Sequence, residues 1–162
     1  MPLHTKRQYY LTMYQYIRNL KSLKINMQIS VNDGDFILFS SLFMALLYEI
    51  MNGIRDNDMT YYKRFGFDRI DPKERKVLKG LRDAVFHFPE NINKSIEQEA
   101  AMKLFYNKSD KFFNWFEKIL FYEDDLLENK EIEAFKEKLE NKREPGSNVI
   151  FRNSFSLKIP NE

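Results

Sequence analysis

Apolar residues recur at helical spacing along most of the chain, and alternation typical of strands is confined to the last residues. The pattern predicts five main helices near residues 5–28, 35–55, 71–88, 95–122 and 130–142, with a short helix near 59–65. The second of these is apolar nearly all round, as the central helix of a bundle would be. We therefore expect an all-α helical bundle over residues 1–144 and an extended tail over residues 145–162.

Turn formers and capping residues set the predicted helix boundaries. Only five Gly and five Pro punctuate the chain, and no Pro falls inside a long periodic run. Asp71 followed by Pro72 suits a helix start, and Glu74 is placed for a capping box with Asp71. The fourth main helix either runs unbroken or bends near residues 107–110.

The absence of Cys narrows the chemistry available to this chain. It excludes disulfides, thiolate zinc sites and cysteine nucleophiles. Because the only histidines are His4 and His87, we expect no metal and no cofactor. Three consecutive carboxylates at residues 123–125 match no known cation loop, so a solvated acidic turn is favoured there.

No apolar leader segment follows the first Met, and the most apolar stretch, residues 36–47, is too short to span a bilayer. We therefore expect a cytoplasmic protein without membrane contact.

Charge is distributed unevenly, although the net charge is only +2. Residues 1–32 carry five basic residues and no acid, whereas acids outnumber bases nine to five in residues 123–144. Lys6, Arg7 and Arg18 alternate with tyrosines, a combination that can bind phosphates and stack bases. Alternatively, the basic and acidic faces pack near each other and the tyrosines belong to the core.

The third main helix separates a core face from a polar face. At 100° per residue the apolar side chains share one side, and the polar side chains Arg82, Asp83 and His87 lie on the other. Asp83 is four residues before His87, so its carboxylate can reach the imidazole. The same polar arc carries Lys76, Lys79 and Phe86. An aromatic residue within a polar arc favours a covered surface, and a second copy of the chain is the simplest partner.

These polar residues suit metal-free cleavage of RNA. A histidine can transfer protons near neutral pH, and an arginine can bind a phosphodiester and stabilise its developing charge. A carboxylate can orient the imidazole. The nucleophile would be the ribose 2′-hydroxyl of the substrate. We therefore predict Arg82, Asp83 and His87 as catalytic residues. The predicted RNA-binding residues are Lys76 and Lys79 beside them and Lys6, Arg7 and Arg18 on the first helix.

The six residues from Arg82 to His87 resemble the Arg-x(4–6)-His signature of HEPN domains, which often have a polar residue after the arginine, as Asp83 is here. The sequence of the segment is Arg82-Asp83-Ala84-Val85-Phe86-His87. The resemblance implies a helical bundle that dimerises and brings two motifs into one site. Phe86, the aromatic residue of the polar arc, is the expected interface residue. It implies an endoribonuclease of a toxin–antitoxin or phage-defence system, controlled by an antitoxin or regulatory partner.

A non-catalytic interpretation accounts for the same residues. A histidine at a helix C-terminus is stabilised by the last carbonyl groups, and a neighbouring Arg–Asp pair can be a solvated surface pair. The chain would then be a helical interaction or regulatory module. Catalysis requires Arg82 and His87 to be accessible across a dimer, whereas an interaction module does not.

Overall fold

The structure is a computed structural model that describes residues 3–86, 94–128 and 130–142. Its helices are α1 (Leu3–Ile29), α2 (Asp33–Asn57), α3 (Met59–Arg64), α4 (Pro72–Phe86), α5 (Lys94–Leu127) and α6 (Lys130–Lys142). A 3-10 turn, Phe67–Arg69, lies between α3 and α4. The described residues contain no strand, which confirms the predicted all-α bundle. The predicted extended tail, residues 145–162, lies outside the described residues.

Helix α2 is the centre of the bundle. It packs against α1, α3, α4 and α5, and residues 40–48 along it are all buried. By length and composition alone α2 could cross a membrane, but 72% of its most apolar window is buried inside the bundle. The apolar stretch at residues 36–47 is only part of this helix, which Asn32 caps and which continues to Asn57. The expected central buried helix is thus confirmed.

Side-chain caps mark the starts of α2 and α4, and a left-handed glycine lies after α3. The Asn32 side chain accepts a hydrogen bond from the Asp35 backbone N–H at 2.8 Å, so α2 begins at Asp33. The Asp71 side chain accepts one from the Lys73 backbone N–H at 2.7 Å, as expected for the cap of α4. Gly66 has a φ of 76°, a left-handed conformation that glycine adopts without strain.

Glu74 does not close the predicted capping box and instead joins α4 to α5. Its carboxylate accepts hydrogen bonds from Lys108 and from Lys111, the latter at 2.8 Å. The residue is only 5% exposed. A buried carboxylate is costly unless it is paired, and two ammonium groups from α5 outcompete the local backbone for it. Lys108 also leaves helical geometry (φ −138°, ψ 34°), which places the bend of α5 within the predicted residues 107–110.

The Glu74 ion pairs should make stability depend on pH. Burial alone would raise the pKa of Glu74, but hydrogen bonds and charge from Lys108 and Lys111 outweigh it and lower the pKa below 4.5. A lowered folded-state pKa stabilises the fold above the unfolded value, and this contribution is lost as pH falls through the folded value. Glu74→Gln should lower the free energy of unfolding at pH 7 by about 1–2 kcal/mol, measured by urea denaturation.

The deficit of Glu74→Gln relative to the unsubstituted chain should begin to shrink as the pH falls below 4.5, where the carboxyl of the unfolded chain becomes protonated, and should vanish below the lower pKa of the folded state. Glu99→Gln is the matched control, because Glu99 forms an exposed pair with Lys103 on α5. A deficit at Glu74 that does not change with pH, or one equal to that at Glu99, would contradict the ion-pair account.

Candidate functional site

A groove of ≈ 710 Å³ lies between α2 and α4, with the segment before α4 at one end. This volume is within the range of pockets that hold small ligands. We call it the α2–α4 groove and define it by its lining residues, which are Tyr48, Asn52, Arg55, Asp68, Ile70, Pro72, Arg75, Lys76, Lys79 and Arg82.

Helical spacing explains how the groove is built. Tyr48, Asn52 and Arg55 are four and three residues apart, so they form one stripe on α2. The facing helix α4 runs antiparallel to α2. Arg82 near the C-terminus of α4 contacts Glu49, and the groove extends from there toward Arg55 on α2 and back toward Pro72 on α4. The α4 side of the groove carries four cationic side chains. Together with Arg55 they make five cations among the lining residues, whose single carboxylate is Asp68. Arg55 and Arg82 are also paired with Asp56, Glu49 and Asp83 beside the groove.

Arg82 is fixed to the side of the groove by three groups. Its Nε and Nη2 donate to Asp83 Oδ1 at 3.0 and 2.8 Å, and its Nη1 donates to Glu49 Oε2 at 3.3 Å. The guanidinium carbon lies 5.5 Å from the centre of the Tyr48 ring. Burial alone would lower the pKa of Arg82, but Asp83 and Glu49 outweigh it and raise the pKa. Arg82 is therefore a positioned, half-buried cation.

The other cations of the groove differ in how far they are already engaged. Arg75 donates through Nη2 to the Tyr62 hydroxyl at 2.7 Å and to the Phe67 carbonyl at 3.1 Å, so it also ties α4 to the preceding segment. Lys76 and Lys79 are exposed, and neither forms an ion pair with a described residue. These two lysines are the cations most available to an anionic ligand.

The predicted catalytic motif is only partly described. Arg82 and Asp83 are half-buried and bonded to each other, whereas His87 lies outside the described residues. Whether Asp83 also orients His87 therefore stays a prediction. Phe86 is partly buried and packs against the hydrophobic core. Its expected place at a dimer interface is likewise a prediction, which this contact with the core does not favour.

The basic residues predicted on the first helix lie apart from the groove. Lys6, Arg7 and Arg18 are on α1, and none of them lines the α2–α4 groove. Arg18 donates to the Tyr14 hydroxyl at 3.1 Å, and the Tyr14 ring packs edge-on against Phe135 of α6. Of the predicted RNA-binding residues, Lys76 and Lys79 are the two that line the same groove as Arg82.

All four tyrosines on α1 lie in or against the core, Tyr14 as a buried residue and Tyr9, Tyr10 and Tyr16 as partly buried ones. Tyr14 is buried, and the Tyr9 hydroxyl lies 2.7 Å from the Tyr122 hydroxyl. Because Tyr122 donates to Asp58, it accepts the hydrogen bond from Tyr9. Burial raises the pKa of both Tyr9 and Tyr122. Stacking of RNA bases on Tyr9 and Tyr14 is therefore not supported, and the alternative that these tyrosines belong to the core is favoured.

The acidic residues 123–125 lie in the last turns of α5, so the expected acidic turn is wrong. Glu123 is buried and pairs with Lys21 of α1, which brings the acidic and basic parts of the chain together as the second charge interpretation expects. Among the residues that the structure describes, no group of three or more His, Asp or Glu side chains is arranged to hold a metal ion.

Sequence reasoning missed the α2 side of the groove. Tyr48, Glu49, Asn52 and Arg55 fall within a helix that reads as apolar nearly all round. The available signal was the spacing of the three polar residues 49, 52 and 55, which interrupt the apolar pattern every third position. A polar stripe on a central helix indicates either a buried network or a ligand groove.

Comparison of the chain with protein-family models, with curated proteins and with solved structures finds no match. The resemblance to HEPN domains therefore has no support beyond the residues that carry it.

Proposed function

We propose that this protein binds RNA in the α2–α4 groove and cleaves it without a metal ion, as a HEPN-like endoribonuclease. The observation that supports binding is the groove itself, which five cationic side chains line and where Lys76 and Lys79 are exposed without an ion pair to a described residue. Phosphate contacts by Lys and Arg supply most sequence-independent affinity for nucleic acids. The observation that supports cleavage is that Arg82, the first residue of the Arg-x4-His segment, lines the same groove.

The proposed reaction uses the substrate's own nucleophile. The 2′-oxygen forms a bond to the adjacent phosphorus, the bond from phosphorus to the 5′-oxygen breaks, and a 2′,3′-cyclic phosphate is left. His87 removes the proton of the 2′-hydroxyl, and a proton is returned to the departing 5′-oxygen by the same group or by His87 of a second copy. Arg82 stabilises the extra negative charge on phosphorus-bound oxygens, and Asp83 orients Arg82 or His87.

The setting of this activity belongs to the same proposal. A dimer would bring two motifs into one site with Phe86 between the copies, and the protein would act in the cytoplasm. A toxin of this kind needs an antitoxin or regulatory partner, because uncontrolled RNA cleavage harms the cell that makes it.

Binding in the groove predicts a specific dependence on salt. Removing one phosphate contact should weaken RNA binding roughly uniformly across sequences and reduce the slope of log affinity against log salt by about 1. We expect this for Lys76→Ala and for Lys79→Ala, and the slope of the double variant should be reduced by about 2. Fluorescence anisotropy with a labelled single-stranded RNA between low and moderate salt measures it.

Lys138→Ala is the matched control, because Lys138 is an exposed lysine on α6 outside the groove. An equal change in slope for Lys138→Ala and for Lys79→Ala would mean that RNA binding depends only on the net charge of the protein. That result would contradict binding in the groove.

Cleavage predicts loss of activity on substitution of the motif. Purified protein should cut single-stranded RNA in the presence of EDTA and leave cyclic phosphate ends, and His87→Ala should reduce the rate at least about 100-fold. Gel electrophoresis of the products and phosphatase resistance of their ends measure both effects. Cleavage that is equal in the two proteins, or that requires a divalent cation, would exclude the proposed chemistry.

A specific contact favours the second candidate, a non-catalytic interaction module. The three groups around Arg82 satisfy its guanidinium inside one chain, so a structural role in joining α4 to α2 explains its position without a substrate. The two candidates differ in the effect of Arg82→Lys. A catalytic arginine loses activity on this change, whereas an arginine that serves only to join the helices changes stability alone.

A further inference from the structure

One stripe along α1 is covered by α6 near its middle and is exposed near its end. At 100° per residue, Tyr14, Ile25 and Ile29 share an arc of about 60° on α1. Tyr14 is buried, and its ring packs edge-on against Phe135 of α6. About three helical turns further along, Ile25 is 57% exposed and Ile29 is 67% exposed. We call these two isoleucines the open end of the α1 stripe.

The direction of α6 follows from that of α5. Tyr122 in the last turns of α5 contacts Tyr9 near the start of α1. The ammonium group of Lys24, near the end of α1, lies 5.0 Å from the centre of the ring of Phe116, which is earlier in α5, so the two helices are antiparallel. Helix α6 begins three residues after α5 ends, and so short a connection is typical of antiparallel neighbours. Because α6 packs on both helices, it runs along α1 in the direction of α1.

Helix α6 ends before it reaches the open end of the α1 stripe. From Phe135, which contacts Tyr14, seven residues lead to the end of α6 at Lys142, a rise of about 10 Å. Ile25 lies eleven residues beyond Tyr14, a rise of about 16 Å, so α6 stops about one turn short of it. The chain that continues from this point is residues 143–162.

The sequence of that segment has the chemistry that the open end lacks. From residue 149 to residue 159 every second residue is apolar except Asn153, and these apolar residues are Val149, Phe151, Phe155, Leu157 and Ile159. Such alternation gives an extended segment one apolar face. The described part of the chain contains no strand with which this segment could pair, so within the chain its apolar face can be buried against a helix. Residues 143–148 span up to about 20 Å when extended, which is enough to reach Ile25 and Ile29.

We propose that residues 149–159 pack their apolar face on the open end of the α1 stripe of the same chain and so continue the cover that α6 gives to α1. Val31, which is 94% exposed just after α1, extends the same apolar surface. Burial of these aliphatic side chains against aromatic ones supplies the driving force. The interaction is separate from the proposed RNA binding, because neither isoleucine lines the α2–α4 groove.

A photo-crosslinker on the tail tests this packing. The chain has no Cys, so Asn153→Cys provides one site for benzophenone maleimide on the apolar face without removing an apolar residue. The full chain is irradiated, and mass spectrometry of its peptides identifies the residues that carry adducts. We expect adducts within one chain, on residues 25–31.

Charge at the open end should prevent the contact. Ile25→Asp combined with Ile29→Asp should lower the yield of adducts on residues 25–31 at least about tenfold, because a carboxylate is not buried against an apolar face. Ile96→Asp is the matched control, since Ile96 is a 64% exposed isoleucine on α5, and it should leave the yield unchanged.

Adducts spread over several helices, or an equal loss of yield in Ile96→Asp and in the double variant, would overturn the proposal. Adducts between chains, identified by mixing isotope-labelled with unlabelled protein, would also overturn it, because a second copy would then occupy the stripe. If circular dichroism shows that the double variant does not fold, the positions of the adducts in Asn153→Cys alone decide the question.

Discussion

Burial of α2 on nearly all sides is the constraint on which the other features of the bundle depend. Four helices pack around it, and its apolar side chains leave few places where a polar group can lie without a partner. The polar stripe of residues 49, 52 and 55 is accommodated in three ways. Glu49 pairs with Arg82, Arg55 pairs with Asp56, and Asn52 keeps a buried oxygen that accepts no hydrogen bond from any described residue. The groove exists because α4 packs beside this polar stripe.

Two sets of ionic contacts hold the opposite ends of α4, in addition to the burial of Leu78, Leu81 and Ala84 along it. Glu74 joins its first turn to the bend of α5, and Arg82 joins its last turns to α2. In each set one partner is buried or half-buried, Glu74 in the first and Arg82 in the second, so the geometry is better defined than that of a fully exposed pair. The two sets present Lys76 and Lys79 to the groove between them. The same contacts give Arg82 a structural role that is complete within one chain, which is why its position alone does not establish catalysis.

Periodicity was sufficient to predict the helices, because each one buries an apolar stripe or, for α2, nearly its whole surface. It could not predict the partners of long polar side chains. The neighbours of Glu74 in the sequence predict a capping residue, but the two lysines that pair with its carboxylate are 34 and 37 residues away. Likewise, the motif around Arg82 could be identified from six consecutive residues, whereas the stripe with Asn52 acquires meaning only when α4 is placed against it.

The central claim is that RNA binds between α2 and α4 and not along α1. Photo-crosslinking of single-stranded RNA containing 4-thiouridine, followed by mass spectrometry of the crosslinked peptides, tests this most directly. Peptides covering residues 48–55 and 72–82 should carry the nucleotide adducts, because the groove is lined by these segments. Adducts confined to the peptide that contains Lys6, Arg7 and Arg18 would contradict the account, since these residues lie outside the groove.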